Sequence, residues 1–129
     1  MSATVPPPAD TQKLALGMAG MLTTVGILHF AAPKPFDTIV PAELPGSARF
    51  YTHASGVAEL GTAALLAAPQ TRRLGATVAI ALFLAVFPAN VNMVRLWWGK
   101  PWPMRLLAIA RLPAQIPMIV LANRVRRGS

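Results

Sequence analysis

A small set of polar side chains lies within the long apolar stretches of this chain, and their types could do chemistry. The set comprises an imidazole, a hydroxyl, an acid, two amides and a guanidinium: His29, Ser55, Glu59, Asn90, Gln115 and Arg111. A lone acid and a lone base in apolar surroundings can pair, relay a proton or bind the polar group of a ligand. We therefore expect these residues to form a ligand-binding site or a polar core, centred on Glu59 and Arg111.

The same inventory excludes several kinds of catalytic site. The chain has no cysteine, which removes disulfides, thiolate metal sites and cysteine nucleophiles. No second carboxylate accompanies Glu59, so paired acid–base hydrolysis and di-metal chemistry are excluded. Ser55 has no evident His–Asp relay, and no glycine-rich phosphate loop is present. We expect no catalytic residue and no metal.

Composition indicates the elements that position these residues. The chain is 54% hydrophobic and 12% charged, against about 25% charged in an average soluble domain. Four apolar blocks follow one another, at residues 14–32, 51–68, 74–94 and 104–123. Each is close to the roughly 20 residues with which a helix crosses a bilayer. The expected fold is all-α, a polytopic membrane protein with a four-helix transmembrane bundle.

The connections between the blocks refine this fold. Residues 69–73 predict a tight helical hairpin, whereas the proline-rich residues 33–50 cannot form one continuous helix. Within the latter, Phe36, Ile39 and Val40 have helical spacing, which predicts a short interfacial turn of helix in the first outer loop. The expected organisation is a disordered tail over residues 1–11, one membrane domain over 12–125 and a basic tail over 124–129.

The cations predict location and partners. The net charge is +8, and the cations are scattered over loops and tail rather than gathered on one face, which favours anionic lipid over nucleic acid. Trp97, Trp98 and Trp102 lie beside basic residues, as in the aromatic belt of a membrane interface, which we favour over the alternative of an aromatic wall in a ligand-binding site. With four spans, both termini and Arg72–Arg73 share one side, and we expect that side to be cytoplasmic in a cell (plasma or inner) membrane.

The four-span topology places the polar residues at similar depth. Glu59 and Arg111 would lie about 10–12 Å below the same interface at 1.5 Å per residue. Asn90 and His29 fall in the same half of the bilayer, and Gln115 lies one turn beyond Arg111. We expect Glu59 and Arg111 to pair there. Such a cluster could lock the helices in register, bind a ligand or proton, or contact a partner.

Prolines and glycines support a compact but interrupted bundle. Pro88, Pro113 and Pro117 lie within apolar blocks, and each is expected to break its helix and free a carbonyl group that Arg111 or Gln115 could satisfy. Small residues suit close approach of helices. The glycines expected to serve in this way are Gly17, Gly20, Gly26, Gly56, Gly61 and Gly75.

Several short motifs together resemble the DoxX-like family of small four-helix bacterial membrane proteins. They are Gly26-Ile27-Leu28-His29-Phe30, Ser55-Gly56-Val57-Ala58-Glu59, Phe87-Pro88-Ala89-Asn90 and Arg111-Leu112-Pro113-Ala114-Gln115. The resemblance implies a four-helix bundle in the inner membrane and accessory or assembly work, often near redox enzymes. This chain lacks the cysteines of the thiol-redox relatives, so a disulfide-exchange role does not transfer.

Two functions follow as hypotheses. The first is an accessory or assembly subunit near a membrane redox system, with a membrane-protein partner or a second copy of the chain. The alternative is a quinone- or lipophile-binding redox module, in which Arg111, Asn90 or His29 donates to a carbonyl group and Glu59 relays a proton. Transport of a small solute is a third possibility, for which four short helices leave little room.

Overall fold

The computed structural model describes residues 9–129, and this part of the chain is helical and contains no strand. Its helices are α1 (Ala9–Ala31), α2 (Lys34–Asp37), α3 (Ala48–Ala67), α4 (Arg72–Ala85), α5 (Phe87–Trp97) and α6 (Trp102–Gly128). The all-α prediction is confirmed. Of the predicted disordered tail, residues 1–8 lie outside the described part, and residues 9–11 form the first turn of α1. Most of the predicted basic tail, residues 124–128, continues α6.

The long helices pack in a ring, in which α1 contacts α3, α3 contacts α4, α4 contacts α6, and α6 returns to α1. The first turn of α1 meets the last turn of α6, where Thr11 touches Gly128. We call this the terminal end of the bundle and the opposite end, which carries residues 33–47, the loop end. The core fills the terminal half with mostly small side chains: Ala15, Met18, Ala19, Leu22, Ala63, Leu66, Ala76, Ala79, Phe83, Ala122 and Val125. Alanine lets helix backbones approach closely, so this half is tightly packed.

Half of the predicted glycine contacts exist. Methyl groups added to Gly26, Gly56 or Gly75 would collide with a neighbouring helix, and the one on Gly75 would lie 2.7 Å from the backbone nitrogen of Leu66. Gly17, Gly20 and Gly61 face open space, so the prediction is wrong for these three. The close contacts therefore lie at the α1–α3 and α3–α4 interfaces.

The predicted third block consists of two helices. Helix α4 ends at Ala85, and α5 begins at Phe87 with Pro88 in its first turn, where a missing N–H group costs no helical hydrogen bond. The predicted break at Pro88 is confirmed. Helix α6 continues through Pro113 and Pro117, so the predicted break there is wrong. Packing of α6 against α4, α5 and α1 holds that helix together despite the two lost hydrogen bonds.

Arg72 has a structural role that differs from the loop cation expected in the hairpin. Its side chain is 2% exposed. It donates from Nε to the carbonyl of Leu66 at 2.8 Å and from Nη2 to the carbonyl of Ala67 at 3.0 Å. These carbonyls end α3 and lack helical partners. Arg72 therefore caps α3 from the start of α4, and Arg73 is the exposed cation of the hairpin.

Three segments of the described chain are long and apolar enough to span a membrane: Asp10–Ala31, Arg72–Trp97 and Trp102–Gly128. Only 33%, 22% and 17% of their apolar windows are buried inside the bundle, so most of their surface faces outward. Ile116 and Val120 of α6, for example, are 65% and 53% exposed. Contiguous exposed apolar surface of this kind is consistent with a membrane location. Helix α3 is not among the three, and it carries Arg49, His53 and Glu59.

Candidate functional site

A cavity of about 520 Å³ opens in the loop half of the bundle. There α1 packs on α3 and α5 packs on α6, and the cavity lies between these two helix pairs. Every side chain that the sequence singled out lines it: His29, Ser55, Glu59, Asn90, Arg111 and Gln115. The structure therefore brings together residues from four helices that are distant in sequence.

His29 and Glu59 form the polar part of the α1–α3 wall. The Nδ1 atom of His29 lies 3.2 Å from Oε1 of Glu59 and 2.7 Å from the carbonyl oxygen of Val25. An imidazole nitrogen between two oxygen acceptors carries a hydrogen. Both side chains are buried, and Phe36 stacks on the imidazole with ring centroids 3.8 Å apart. The ring is thus held from two sides, while Nε2 makes no hydrogen bond within residues 9–129.

Gly56 explains why these two side chains meet. It lies three residues before Glu59 on α3, and a methyl group at this position would be 2.9 Å from Cβ of His29. Only glycine allows the backbone of α3 to come this close to α1 without displacing the imidazole. The same short motif therefore contains the glycine that lets α3 approach α1 and the acid that contacts His29.

Asn90, Gln115 and Arg111 form the polar part of the α5–α6 wall. Asn90 donates from Nδ2 to Oε1 of Gln115 at 3.1 Å, and both residues are buried. Arg111 lies one turn before Gln115 on the same face of α6. Its side chain is exposed, and Nη1 lies 3.6 Å from the Sδ atom of Met93. Arg111 therefore stands at an open edge of the cavity, with a neutral sulfur as its hydrogen-bond acceptor.

The predicted Glu59–Arg111 ion pair is wrong. Their charged groups are more than 4.0 Å apart, and Glu59 pairs with His29 instead. Equal depth in a bilayer does not make two helices neighbours: α3 packs on α1 and α4, whereas α6 packs on α4, α5 and α1. The cavity lies between the two side chains, and both line it.

The side chains of Arg111 and Gln115 do not bind the backbone carbonyl groups that the prolines leave without an N–H donor. Arg111 donates to Met93, and Gln115 accepts from Asn90. The expectation that these two residues satisfy the freed carbonyl groups is therefore wrong. Their polar atoms point toward α5 and the cavity, which explains why they meet residues of another helix rather than their own backbone.

Residues 33–47 close the loop end of the cavity. The predicted turn of helix exists as α2, but it ends at Asp37, before Ile39 and Val40. Phe36, Ile39 and Val40 line the cavity, so their apolar side chains face inward. The spacing of these three residues predicted the helical turn, but it could not show which side of the turn would be buried.

Two contacts join this segment to α5. Asn92 donates from Nδ2 to the carbonyl of Ile39 at 3.0 Å, and Arg95 donates from Nη1 to Oε2 of Glu43 at 3.1 Å. The segment is connected in sequence to α1 and α3, so these bonds link the two helix pairs across the cavity. Sequence reasoning missed both contacts, although an asparagine beside Asn90 in an apolar block was a signal that could have found the first.

Asp37 fixes the other side of the segment. It accepts a hydrogen bond from Oγ1 of Thr52 at 2.5 Å and another from Nε of Arg49 at 2.9 Å. The Thr52 hydrogen bond lowers the pKa of Asp37, an effect that partial burial opposes and that Arg49 reinforces. The segment is therefore attached to α3 through a carboxylate that prefers to be ionised.

The rest of the cavity lining is mainly apolar. Leu22 and Val25 of α1, Leu82 of α4, Val86 between α4 and α5, and Met118 of α6 contribute to it. The volume falls within the roughly 300–1,000 Å³ of small-molecule sites, which combine apolar walls with a few placed polar groups. The arrangement can hold an elongated apolar molecule whose polar end meets the donors of the two walls.

The model of a family described as "Domain of unknown function (DUF8561)" matches residues 18–126. The matched range includes all of the cavity residues named above. Because the match covers most of the chain, the chain belongs to this family. No curated protein and no solved structure matches the chain.

The resemblance to the DoxX-like family is wrong, because the family model that matches is a different one. The motifs that suggested it contain a histidine near the end of the first block, Gly–x–x–Glu in the second and Pro–x–Asn in the third. In this structure they serve close packing, a polar contact and a helix break, which are general needs of a small bundle with a cavity. The expected association with redox enzymes rested on that resemblance and loses its basis.

Proposed function

We propose that this member of the DUF8561 family is a four-span membrane protein that binds a lipophilic molecule with a polar head in the cavity between α1–α3 and α5–α6. The observation that carries the proposal is the lining of that cavity. Polar side chains from four helices converge on one space that is otherwise apolar. Polar groups inside membrane-spanning segments are costly and are therefore retained where they interact with something.

The fourth span in this proposal is α3. It has 20 residues, enough to cross a bilayer at 1.5 Å per residue, and it packs on α1 and α4 on either side. Two of its polar residues have partners within the chain: Arg49 binds Asp37, and Glu59 binds His29. This pairing supports a membrane location for a helix of lower hydropathy. In the proposed topology both termini are cytoplasmic and the loop end lies on the outer side.

A cavity-filling substitution tests the proposal. Ala114 and Ala110 are both exposed alanines of α6, but only Ala114 lines the cavity. Wild type, Ala114→Trp and Ala110→Trp are purified from membranes, and lipophilic molecules that remain bound are extracted and quantified by mass spectrometry. We expect a stoichiometric molecule in wild type and Ala110→Trp and its loss in Ala114→Trp. Equal amounts in all three proteins, or none in wild type, would contradict the proposal.

The accessory or assembly role remains a prediction from the sequence. It requires a protein partner that docks on the outward-facing surface of the bundle. Solubilisation in a mild detergent tests it, because a stoichiometric membrane protein should then copurify. The two functions have separate readouts, because a bound lipophilic molecule is measured by mass spectrometry and a protein partner by copurification.

A further inference from the structure

We propose that the ligand of the cavity is an anionic amphiphile, whose charged head pairs with Arg111 and whose apolar chain lies between the two helix pairs. This inference rests on the proposed function and names the ligand class. The shared chemistry is a head of net negative charge, either a carboxylate or a phosphate without a balancing ammonium group, on an apolar chain. A free fatty acid and a bilayer phospholipid are the two sources that the experiment distinguishes.

The acidic side chains at the loop end of the bundle already have partners. The chain has four acidic residues. Three of them have partners there: Asp37 binds Arg49, Glu43 binds Arg95, and Glu59 binds His29. The fourth, Asp10, is in the first turn of α1 at the terminal end. No acidic residue of the chain is therefore left to neutralise Arg111.

Arg111 itself lies within an apolar helix. It is the tenth residue of α6, inside a segment apolar enough to span a membrane, and the loop end is the nearer one. Its hydrogen bond within the described residues goes to the neutral sulfur of Met93. An arginine within a bilayer is costly unless it is paired or reaches water or lipid head groups. A bound anionic molecule would supply the countercharge that the chain does not.

A second group of hydrogen-bond donors lies near the guanidinium of Arg111. Gln115 lies one turn further along α6, and its Oε1 atom accepts from Asn90, so its amide nitrogen remains a donor toward the cavity. A guanidinium and an amide on one helix face match the several acceptor atoms of a carboxylate or phosphate. Glu59 lies on the opposite wall, where His29 is its partner, so the donors available to an anionic head are those on the α6 side.

The cavity also has apolar space for the hydrocarbon chain of such a ligand. Leu22, Val25, Leu82 and Met118 line the cavity on the side of the tightly packed terminal half. An apolar chain that extends from Arg111 into this space gains the burial of its surface without uncovering any polar group. A head at the open edge and a chain inside also allow entry directly from the bilayer.

Binding of palmitate and of its uncharged methyl ester tests the inference. The protein is placed in nanodiscs of phosphatidylcholine, and the Kd of each ligand is measured for wild type, Arg111→Gln, Arg111→Lys and Arg105→Gln. Arg105 is the control, since it is on the same helix, contacts Trp98 and does not line the cavity. We expect wild type and Arg105→Gln to bind palmitate at least about tenfold more tightly than the ester, as a charge-assisted hydrogen bond implies.

The variants separate the charge from the cavity. Arg111→Gln should bind both ligands equally, with the affinity for the ester unchanged, and Arg111→Lys should recover part of the preference for the acid. The inference is overturned if wild type binds acid and ester equally, or if Arg111→Gln keeps the preference for the acid, whether or not both affinities fall. In either result, binding of the ester to wild type but not to Ala114→Trp would leave the proposed function standing.

A second arm identifies the source of the anion. Phosphatidylglycerol is added to the nanodiscs, and displacement of palmitate from wild type is measured. If phosphatidylglycerol displaces palmitate from wild type, and Ala114→Trp no longer binds palmitate, a bilayer phospholipid is a ligand of the same site. A palmitate Kd that does not change with phosphatidylglycerol identifies the free carboxylate amphiphile. Both results support the shared chemistry, whereas displacement of palmitate by neutral phosphatidylethanolamine to the same extent contradicts it.

Discussion

His29 and Glu59 join α1 to α3 through an imidazole nitrogen that lies 3.2 Å from a carboxyl oxygen. The same nitrogen is 2.7 Å from the carbonyl of Val25, one turn earlier on its own helix. The pair replaces the Glu59–Arg111 pairing that residue depth had predicted. The acid is therefore part of one wall of the cavity, and the guanidinium belongs to the other.

The His29–Glu59 contact should be measurable as a coupling between two substitutions. In a double-mutant cycle of His29→Gln and Glu59→Leu, we expect a coupling free energy of about 1 kcal/mol in thermal or denaturant unfolding in detergent. The matched cycle pairs Glu59→Leu with His53→Gln, because His53 stacks on Phe30 and does not bind Glu59. A coupling of the same size in both cycles would show that the His29 contact has no specific contribution.

The approach of α4 to α3 requires glycine at position 75. In Gly75→Ala the new methyl group would lie 2.7 Å from the backbone nitrogen of Leu66, so a helix must shift, and we expect a loss of about 1–3 kcal/mol of stability. Gly61→Ala is the control, since nothing lies near its added methyl group. It should stabilise the protein by a few tenths to about 1 kcal/mol through helix propensity alone. Unfolding measured side by side would refute the packing account if Gly75→Ala were as stable as Gly61→Ala.

Two adjacent arginines should differ strongly in their effect on stability. Arg72→Gln removes the donors that bind the carbonyls of Leu66 and Ala67, and we expect a cost of about 2–3 kcal/mol because those groups lose charged partners in a buried place. Arg73→Gln removes an exposed cation and should change stability by no more than about 0.5 kcal/mol. Melting temperatures of the purified variants compare the two. Equal shifts would mean that Arg72 does not cap α3.

The segment over the cavity should loosen in acid. Since the pKa of Asp37 is lowered in the folded protein, its carboxylate stabilises the segment fully above its unfolded value of about 4 and loses this effect as the pH falls through the lower folded value. Hydrogen exchange of residues 33–47, corrected for intrinsic rates, should accelerate as the pH is lowered below about 4.

A background variant isolates Asp37 in that experiment. The pKa of Glu43 is also lowered, by its own backbone N–H group and by Arg95, so the measurement is made in Glu43→Gln. There Asp37→Asn should exchange rapidly at neutral pH and show no further acceleration in acid. An acid response that persists in the double variant would assign it to another group.

Much of the architecture could be predicted from the sequence, because its signals are local. Block length predicted the helices, Pro88 predicted the break between α4 and α5, and the rarity of polar side chains in apolar blocks identified residues that line the cavity. Pairing could not be predicted in the same way. Depth along a helix follows from counting residues, whereas adjacency depends on which helices share an interface, and α3 and α6 are on opposite sides of the cavity.

The second thing that local patterns could not supply is the direction of a side chain. From the sequence, Arg72 is expected to be a cation of the hairpin loop. The turn of the hairpin instead directs its side chain back onto the carbonyl groups that end α3. Gly17 and Gly61 are small residues in apolar blocks, as are Gly56 and Gly75, yet they face outward. In each case the deciding fact is the rotation of one helix against its neighbour.

In the proposed function, the space between His29–Glu59 and Asn90–Gln115–Arg111 holds a lipophilic molecule. An experimental density map of the protein in lipid nanodiscs, determined for wild type and for Ala114→Trp, would show whether such a molecule is bound there. We predict elongated non-protein density in the wild-type cavity, with its head beside Arg111, and none in Ala114→Trp. A wild-type map in which the helix pairs close on each other, or in which the cavity holds only isolated water peaks, would contradict the account.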